Sequence, residues 1–291
     1  MAVEPFRLMT TPLDEETRLV AERELRETPE VRDKAIVELR RLLGENKDLY
    51  YADDDKTLLV FLRPTHFYPE SAIKLMRRIA EFKQDYVKIL KDLVPEDEKS
   101  SFVDNNVVNV LTNLDQDGRR VLIVNCGSLW NTKKVSADSL FRIFYLVHVA
   151  AQVEESTQVR GVVVIMDFDG LGLSQVRSLS PSFSKRLLTF IQDAMPIRMK
   201  QVHIINEPGI FKMVWALFKP FIREKLGSRM FLHGKDRDSL HKHMNPEFLP
   251  ANYGGKLPAI DYTGKDWYPS VTEHLGYIEQ WNTYGFANNK K

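Results

Sequence analysis

Cysteine is nearly missing: Cys126 is the only one among 291 residues. That excludes an intramolecular disulfide and a multi-cysteine zinc site, and it fits a reducing compartment. Long apolar runs are missing too, with nothing approaching the ~20 residues of a membrane span. Met1–Glu16 lacks the apolar core of a secretory leader, so a cytoplasmic location is expected. With 14 Gly and 14 Pro, collagen-like and low-complexity classes are excluded. An excess of either charge is also lacking. Lys plus Arg number 41 against 40 Asp plus Glu, so no global field draws the chain to nucleic acid, and none is expected as a partner. What remains is 43% hydrophobic and 28% charged, enough for about two globular domains at ~150 residues each.

From Asp14 to Leu93 the apolar spacing is helical. Asp14, Pro29, Asp53-Asp54-Asp55 and Pro69-Glu70 mark successive helix starts. The first hundred residues carry 18 basic and 22 acidic side chains, which does not describe a nucleic-acid binder. The pattern then changes. Val107–Leu114 and Arg120–Asn125 flank Asp115-Gln116-Asp117-Gly118, whose Asp-Gly is a hairpin signal. One long helix is expected over Ser136–Gln158, a doubly buried strand over Gly161–Met166, a helix over Leu179–Ala194 and a strand over Gln201–Ile205. A helix over Pro208–Leu226 and a strand over Arg229–Leu232 complete an α/β alternation with a mostly parallel sheet. The expected division is a helical domain at 1–94, an α/β domain at 95–260 and a tail at 261–291.

Catalytic motifs are scarce. Gly170-Leu171-Gly172 follows a strand, but Gln175 stands where a dinucleotide fingerprint needs a third glycine, and Walker A, nucleophile-elbow and His-Glu-x-x-His sequences are missing. Asp167 and Asp169 at a strand end suit a magnesium or acid–base pair, yet with no accompanying carboxylate a polar turn explains them better. His241 and His243 are two apart and read as surface residues. Cys126 reads as a small buried apolar side chain. No catalytic residue, metal or cofactor is expected.

Ile210–Leu226 is apolar around most of its helical circumference, more than one buried stripe can use, and Pro220 must kink or split it. Either it is a kinked core helix, or it is a movable lid whose inner face meets an apolar cavity and whose outer face meets a bilayer. Charge favours the lid. Residues 181–243 hold twelve basic side chains against five acidic ones, and such a patch suits an anionic membrane at ~1 kcal/mol per cation near the headgroups.

Gly161-Val-Val-Val-Ile-Met-Asp-Phe-Asp-Gly170, Pro196-Ile-Arg-Met-Lys-Gln-Val-His-Ile-Ile-Asn-Glu-Pro208, Lys219-Pro-Phe221, His233-Gly234 and Leu249-Pro-Ala-Asn-Tyr-Gly-Gly255 together resemble the CRAL-TRIO lipid-transfer family. The likeness extends to Asp54–Arg63 of the helical domain and runs from about Asp14 to Ile260. It is greatest to the branch with tocopherol- and retinaldehyde-binding members. The resemblance implies a binder, not an enzyme, with a sheet flooring a closed apolar cavity under a gate helix at Pro208 to about Arg229. By similarity the cavity takes Phe141, Phe144 and His148, then Val162, Val164, Met166 and Leu171, then Leu187, Phe190, Ile191, Ile197, Met199 and Val202. The gate adds Phe211, Val214, Trp215, Leu217, Phe218, Phe221 and Ile222, and His148 is the candidate polar hook for a ligand carbonyl or hydroxyl. The family's phosphoinositide cleft maps onto Lys74, Arg198, Lys200, Lys219, Lys225 and Arg229. Thr65 replaces one of the family's cations, and Phe144 and His148 stand where tocopherol binders carry serines.

The implied partners are a small hydrophobic lipid of the retinoid, tocopherol or carotenoid class and an anionic, phosphoinositide-bearing membrane met transiently; the residues leave the oligomeric state open, with a monomer favoured. A phospholipid or phosphoinositide exchanger and signalling adaptor is the alternative. A lipid with ~400 Å² of apolar surface gains on the order of 10 kcal/mol on leaving water, so it needs a shielded carrier.

Overall fold

The computed structural model describes residues 6–287. Met1–Pro5, the start of the segment read for a leader, and Asn288–Lys291, the end of the tail, lie outside the described residues. The helical domain comprises α1 (Glu15–Leu25), α2 (Pro29–Glu45), α3 (Asp55–Leu62) and α4 (Pro69–Asp85), with a two-residue strand β1 (Leu49–Tyr50) among them. Three helices begin on side-chain caps: Asp14 accepts from the Thr17 amide, Thr28 from Val31 and Asp54 from Thr57. Short helices α5 (Val87–Leu90) and α6 (Lys99–Val103) lead into the second domain.

A five-stranded sheet in the order β2 (Val108–Val110), β3 (Arg120–Asn125), β4 (Val162–Asp167), β5 (Met199–Ile205) and β6 (Met230–Leu232) forms the second domain's centre. Only the β2–β3 pair is antiparallel. Its turn is closed by the Asp115 carboxylate, which accepts from the amides of Asp117 and Arg119, and Gly118 sits at φ 70°. The strand before that turn is shorter than Val107–Leu114. Register aligns Leu122, Val164, Val202 and Met230 in one row and Val124, Met166 and Ile204 in the next, all on one face. Val163, Ile165 and Ile205 point to the other face, where Leu240, Met244, Leu249 and Tyr253 cover them. That cover includes α13 (Arg237–His241).

The first face is covered by α7 (Ala137–Ala151), α10 (Pro181–Thr189) and α11 (Phe211–Phe218), while α8 (Glu155–Arg160), α9 (Leu173–Ser178) and α12 (Glu224–Gly227) are short connectors. The expected helix over Ser136–Gln158 is in fact two. The break falls before Glu154, whose fully buried carboxylate accepts from the Met9 amide, Arg120 and the Thr157 hydroxyl. The helix over Leu179–Ala194 ends in a π turn at Phe190–Ala194. After a single 3-10 turn at Lys219–Phe221, the segment beyond α11 resumes as α12, so Pro220 does split the helix.

The tail does not hang free. α14 (Gly264–Thr272), α15 (Leu275–Thr283) and β7 (Gly285–Phe286) return it to the helical domain, where β7 pairs with β1. Trp267 and Trp281 are both buried, and the Trp281 indole donates to the Tyr145 hydroxyl of α7.

Candidate functional site

Between the sheet and the α7–α10–α11 layer lies a cavity of about 90 Å³ whose lining side chains are all apolar. Val124, Val164, Met166, Val202 and Ile204 form its floor, which is the parity that the strand register imposes. Phe141 and Phe144 of α7, with Leu187 and Ile191 of the α10 segment, form its wall, and Met199 closes one end. Phe211, Val214, Trp215 and Phe218 of α11 form its roof, with Phe218 edge-on to Phe183. Small-molecule pockets run to roughly 300–1,000 Å³. At about 90 Å³ the space between roof and wall is smaller than that range.

Several expected lining residues lie elsewhere. His148 is turned away: its Nδ1 is bonded to the Phe144 carbonyl, and its ring lies 4.2 Å from the Phe144 ring. Burial pushes its pKa down to about 4. It lines a separate apolar cavity of about 40 Å³ together with Val162, because both sit at the opposite end of their elements from the main cavity. The expected polar hook therefore stands outside the lining of the main cavity, with its Nδ1 bonded to a backbone carbonyl. Phe190 stands behind the wall, packed on Phe141, Phe144, Tyr145 and Phe82. Leu171 is buried outside the lining, and Ile197 lines a different cleft. Leu217, Phe221 and Ile222 are half-buried and outside the lining: Leu217 precedes the break at Pro220 on α11, and Phe221 and Ile222 lie in and just after the turn that follows it.

Residues that sequence reading missed include Trp130, Leu140, Phe168, Phe183, Leu188, Leu226 and Met230. Val124 and Ile204 had a signal, since each lies two residues from a neighbour on the same face. Cys126 also lines the cavity, and burial pushes its thiol pKa up, so it is an inert apolar group there.

A second, basic cleft of about 230 Å³ opens beside the helical domain, lined by Thr65, Arg78, Arg198, Arg223, Lys225 and Arg229 among others. Lys74 and Lys219 are exposed and outside it. Arg78, one helical turn beyond Lys74 on α4, takes the place expected of Lys74. Arg223 joins through a two-bond pair with Asp193, 2.6 Å at each contact. Lys200 lies beside the cleft, where the Glu24 carboxylate holds it together with Arg198. Gly161, at φ 80°, packs so closely on the Arg198 carbonyl that a Cβ would sit 2.5 Å from it, and the β4–β5 register shifts at this point.

At the carboxyl ends of the strands, Asp167 accepts from the Asp169 amide and from the Asn206 side chain, which is a polar turn tied to the next strand. No group of three metal-ligating side chains is gathered among the described residues. His241 and His243 are half-buried, not surface residues: His241 bonds the Tyr253 carbonyl and His243 packs 4.0 Å from the Phe231 ring.

A mostly parallel α/β sheet, an apolar cavity roofed by a helix split at proline and a preceding helical domain define the class of the protein. Residues 104–255 match the CRAL/TRIO domain. The human alpha-tocopherol transfer protein-like is 33% identical over 250 residues, covering 86% of this chain and 72% of that one. Clavesin-1 of Pongo abelii is 30% identical over 252 residues, covering 86% and 71%, and human clavesin-2 is 30% identical over 252 residues, covering 86% and 76%. The crystal structure of Sfh5 aligns at 16% identity over 84% of this chain and 89% of that one, with a TM-score of 0.45. The chain belongs to the CRAL-TRIO family of lipid-binding and lipid-transfer proteins.

Proposed function

We propose that this chain carries a small, single-headed hydrophobic lipid of the retinoid, tocopherol or carotenoid class between membranes, and that phosphoinositide headgroups in the basic cleft aid the opening of the α11–α12 lid. The uniform apolarity of the cavity wall carries the reading. A phospholipid headgroup taken into this cavity would leave its polar groups without partners, a cost of several kcal/mol by transfer scales. The domains divide the work in this reading. The helical domain (1–94) contributes Arg78 to the cleft, the α/β domain (95–260) holds the ligand, and the tail (261–291) fixes one to the other.

The lid contacts support the coupling. Arg223 at the lid's end is paired with Asp193, and the Phe221 carbonyl accepts from Gln192, so charge at the cleft bears directly on the hinge of the roof. A headgroup that binds better when the lid is open shifts the population toward the open state by its difference in affinity. Transport in the cytosol, with transient docking on membranes, is part of the same proposal. No helix among the described residues is long and apolar enough to cross a membrane.

Organic extraction of the purified protein followed by mass spectrometry, with displacement by a panel of retinoid, tocopherol, carotenoid and phosphatidylinositol, tests the cargo. A stoichiometric single-headed hydrophobe is expected. A bound phospholipid overturns the cargo in favour of an exchanger, and a protein that takes none of the panel overturns the cavity as a ligand site.

A further inference from the structure

Two of the cations expected to meet a phosphorylated headgroup already have an anion. Glu24, in the last turn of α1, places Oε2 3.2 Å from both terminal nitrogens of Arg198 and 3.1 Å from Lys200 Nζ. The three side chains are 31%, 11% and 21% exposed, so the contact is shielded from water yet open at its rim. Burial alone would raise the Glu24 pKa, but Lys200 and Arg198 hold it below the usual carboxylate range. The carboxylate therefore stays charged and bound.

The remaining cations are placed differently. Arg223 is held by Asp193, Arg229 donates to the Met199 carbonyl, and Arg78 donates to the Asp193 carbonyl at 3.2 Å. The Lys225 ammonium makes no hydrogen bond or ion pair with another described residue, and Lys225 lines the cleft. An incoming phosphate meets Lys225 and Arg229 at once, but it reaches Arg198 and Lys200 only by displacing a carboxylate that touches both. A singly phosphorylated headgroup spends its charge on the first pair. A headgroup with several phosphate monoesters has charge left for the second, and a doubly charged phosphate monoester bridging two cations outcompetes one carboxylate.

Resting on the proposed role of this cleft, we propose that Glu24 is its specificity-determining residue: an internal counter-ion that only a multiply phosphorylated inositol headgroup displaces from Arg198 and Lys200. The recognised chemistry is clustered phosphate monoesters, lipid-borne or free.

The test uses the full chain and phosphatidylcholine vesicles doped with a phosphatidylinositol monophosphate or a phosphatidylinositol trisphosphate. Glu24→Gln keeps the shape and removes the charge. It should raise affinity for the monophosphate vesicles by about three- to tenfold, the scale of one partly shielded ion pair, and narrow the preference for the trisphosphate. Glu24→Asp keeps the charge and shortens the reach, so it should move the same way by less, and it serves if Glu24→Gln does not fold. A soluble inositol trisphosphate runs in parallel. A gain there assigns the effect to the phosphates themselves, and a gain confined to vesicles assigns it to lipid-borne ones. Lys225→Ala separates the two layers. If it leaves trisphosphate binding unchanged, the cleft is not a headgroup site and both readings fall. If it weakens binding while Glu24→Gln leaves the mono-to-tris ratio where it was, only the role of Glu24 is overturned.

Discussion

The ammonium of Lys83 lies 2.6 Å from the carbonyl oxygen of Tyr284, two hundred residues later in the chain, and also donates to the carbonyls of Trp281 and Asn282. These carbonyls lie at the end of α15, where the Trp281 carbonyl also accepts from the Tyr284 amide, so a lysine of α4 caps the tail's last helix from outside. The neighbouring Phe82 packs on Phe141 of the cavity wall and on Phe190 behind it, which puts tail, helical domain and cavity in one packed column.

Lys83→Met should therefore destabilise the protein by about 1–3 kcal/mol, because it leaves carbonyls at the helix end unmet in a dry site. Urea unfolding monitored by tryptophan fluorescence reads this directly, since Trp281 lies in the column. A change below ~0.5 kcal/mol would show that the cap contributes nothing.

Arg63 is 2% exposed and shared by Glu27, Glu155 and the Gln158 side chain. It joins the α1–α2 junction to α8 across the two domains. Arg63→Ala leaves Glu27 buried and unpaired, and breaking a buried pair in this way costs about 3–5 kcal/mol. Arg63→Lys cannot reproduce the planar fork and should recover only part of the loss. Thermal unfolding of both variants checks the order wild type, Lys, Ala; equal midpoints would refute it.

Much of this architecture was legible in the sequence because it follows from local rules. Capping residues set the helix starts, the Val162-Val163-Val164-Ile165 run gave a strand buried on both faces, and Pro220 gave the split in the lid. Parity along the strands even separates Val164 from Val163. What stayed hidden depends on the third dimension. Nothing near Glu154 in sequence shows that Met9 and Arg120 converge on it and end a helix there. His148 has the same spacing whether it points to the ligand or away, and only the end-to-end position of α7 over the sheet decides. The tail's Trp267 and Trp281 gave no pattern, since each is anchored by residues from distant elements. Resemblance located the basic cleft, but it could not show that Arg78 and not Lys74 reaches it, or that Glu24 already fills part of it.

Acid should weaken the fold through its buried histidines. Burial pushes His148 down to about 4, and burial with the neighbouring His233 and His243 pushes His203 down to about 3. Below the ordinary value of 6.5 the unfolded chain takes up protons that the native state refuses, so this stability is whole above pH 6.5 and is lost as pH falls toward 4. The loss is about 2 kcal/mol per histidine by pH 5. Urea midpoints at pH 7 and pH 5 should differ accordingly, and His148→Gln should flatten the difference. Equal midpoints in the wild type would mean that these rings are charged in the native state.

Filling the cavity separates its two roles. Val164→Phe puts a ring into the space above the floor, where Val164 is 3% exposed. If the lipid sits there, occupancy should fall by about tenfold or more, while overpacking costs the fold about 1–3 kcal/mol. Measuring ligand stoichiometry and unfolding on the same preparation distinguishes the outcomes: a folded variant that still carries its lipid would place the cargo elsewhere.

The lid has an inner and an outer face, and they should respond differently to one charge. Met213 is 47% exposed on the side of α11 away from Phe211 and Val214, which are buried. Phe218, by contrast, roofs the cavity against Phe183. Met213→Asp removes no packed contact, so stability should stay within ~0.5 kcal/mol of wild type. A carboxylate on the outer face is repelled by an anionic surface and loses the apolar insertion of the thioether, so binding to phosphoinositide vesicles and lipid transfer between vesicles should fall by about tenfold. Phe218→Asp buries a charge in an apolar wall and should unfold the lid or empty the cavity before any membrane is met. Transfer assays on both variants, read beside their unfolding midpoints, decide whether α11 is a docking surface. A stable Met213→Asp protein that transfers lipid at the wild-type rate would make the outer face irrelevant to the membrane and leave the basic cleft as the sole contact.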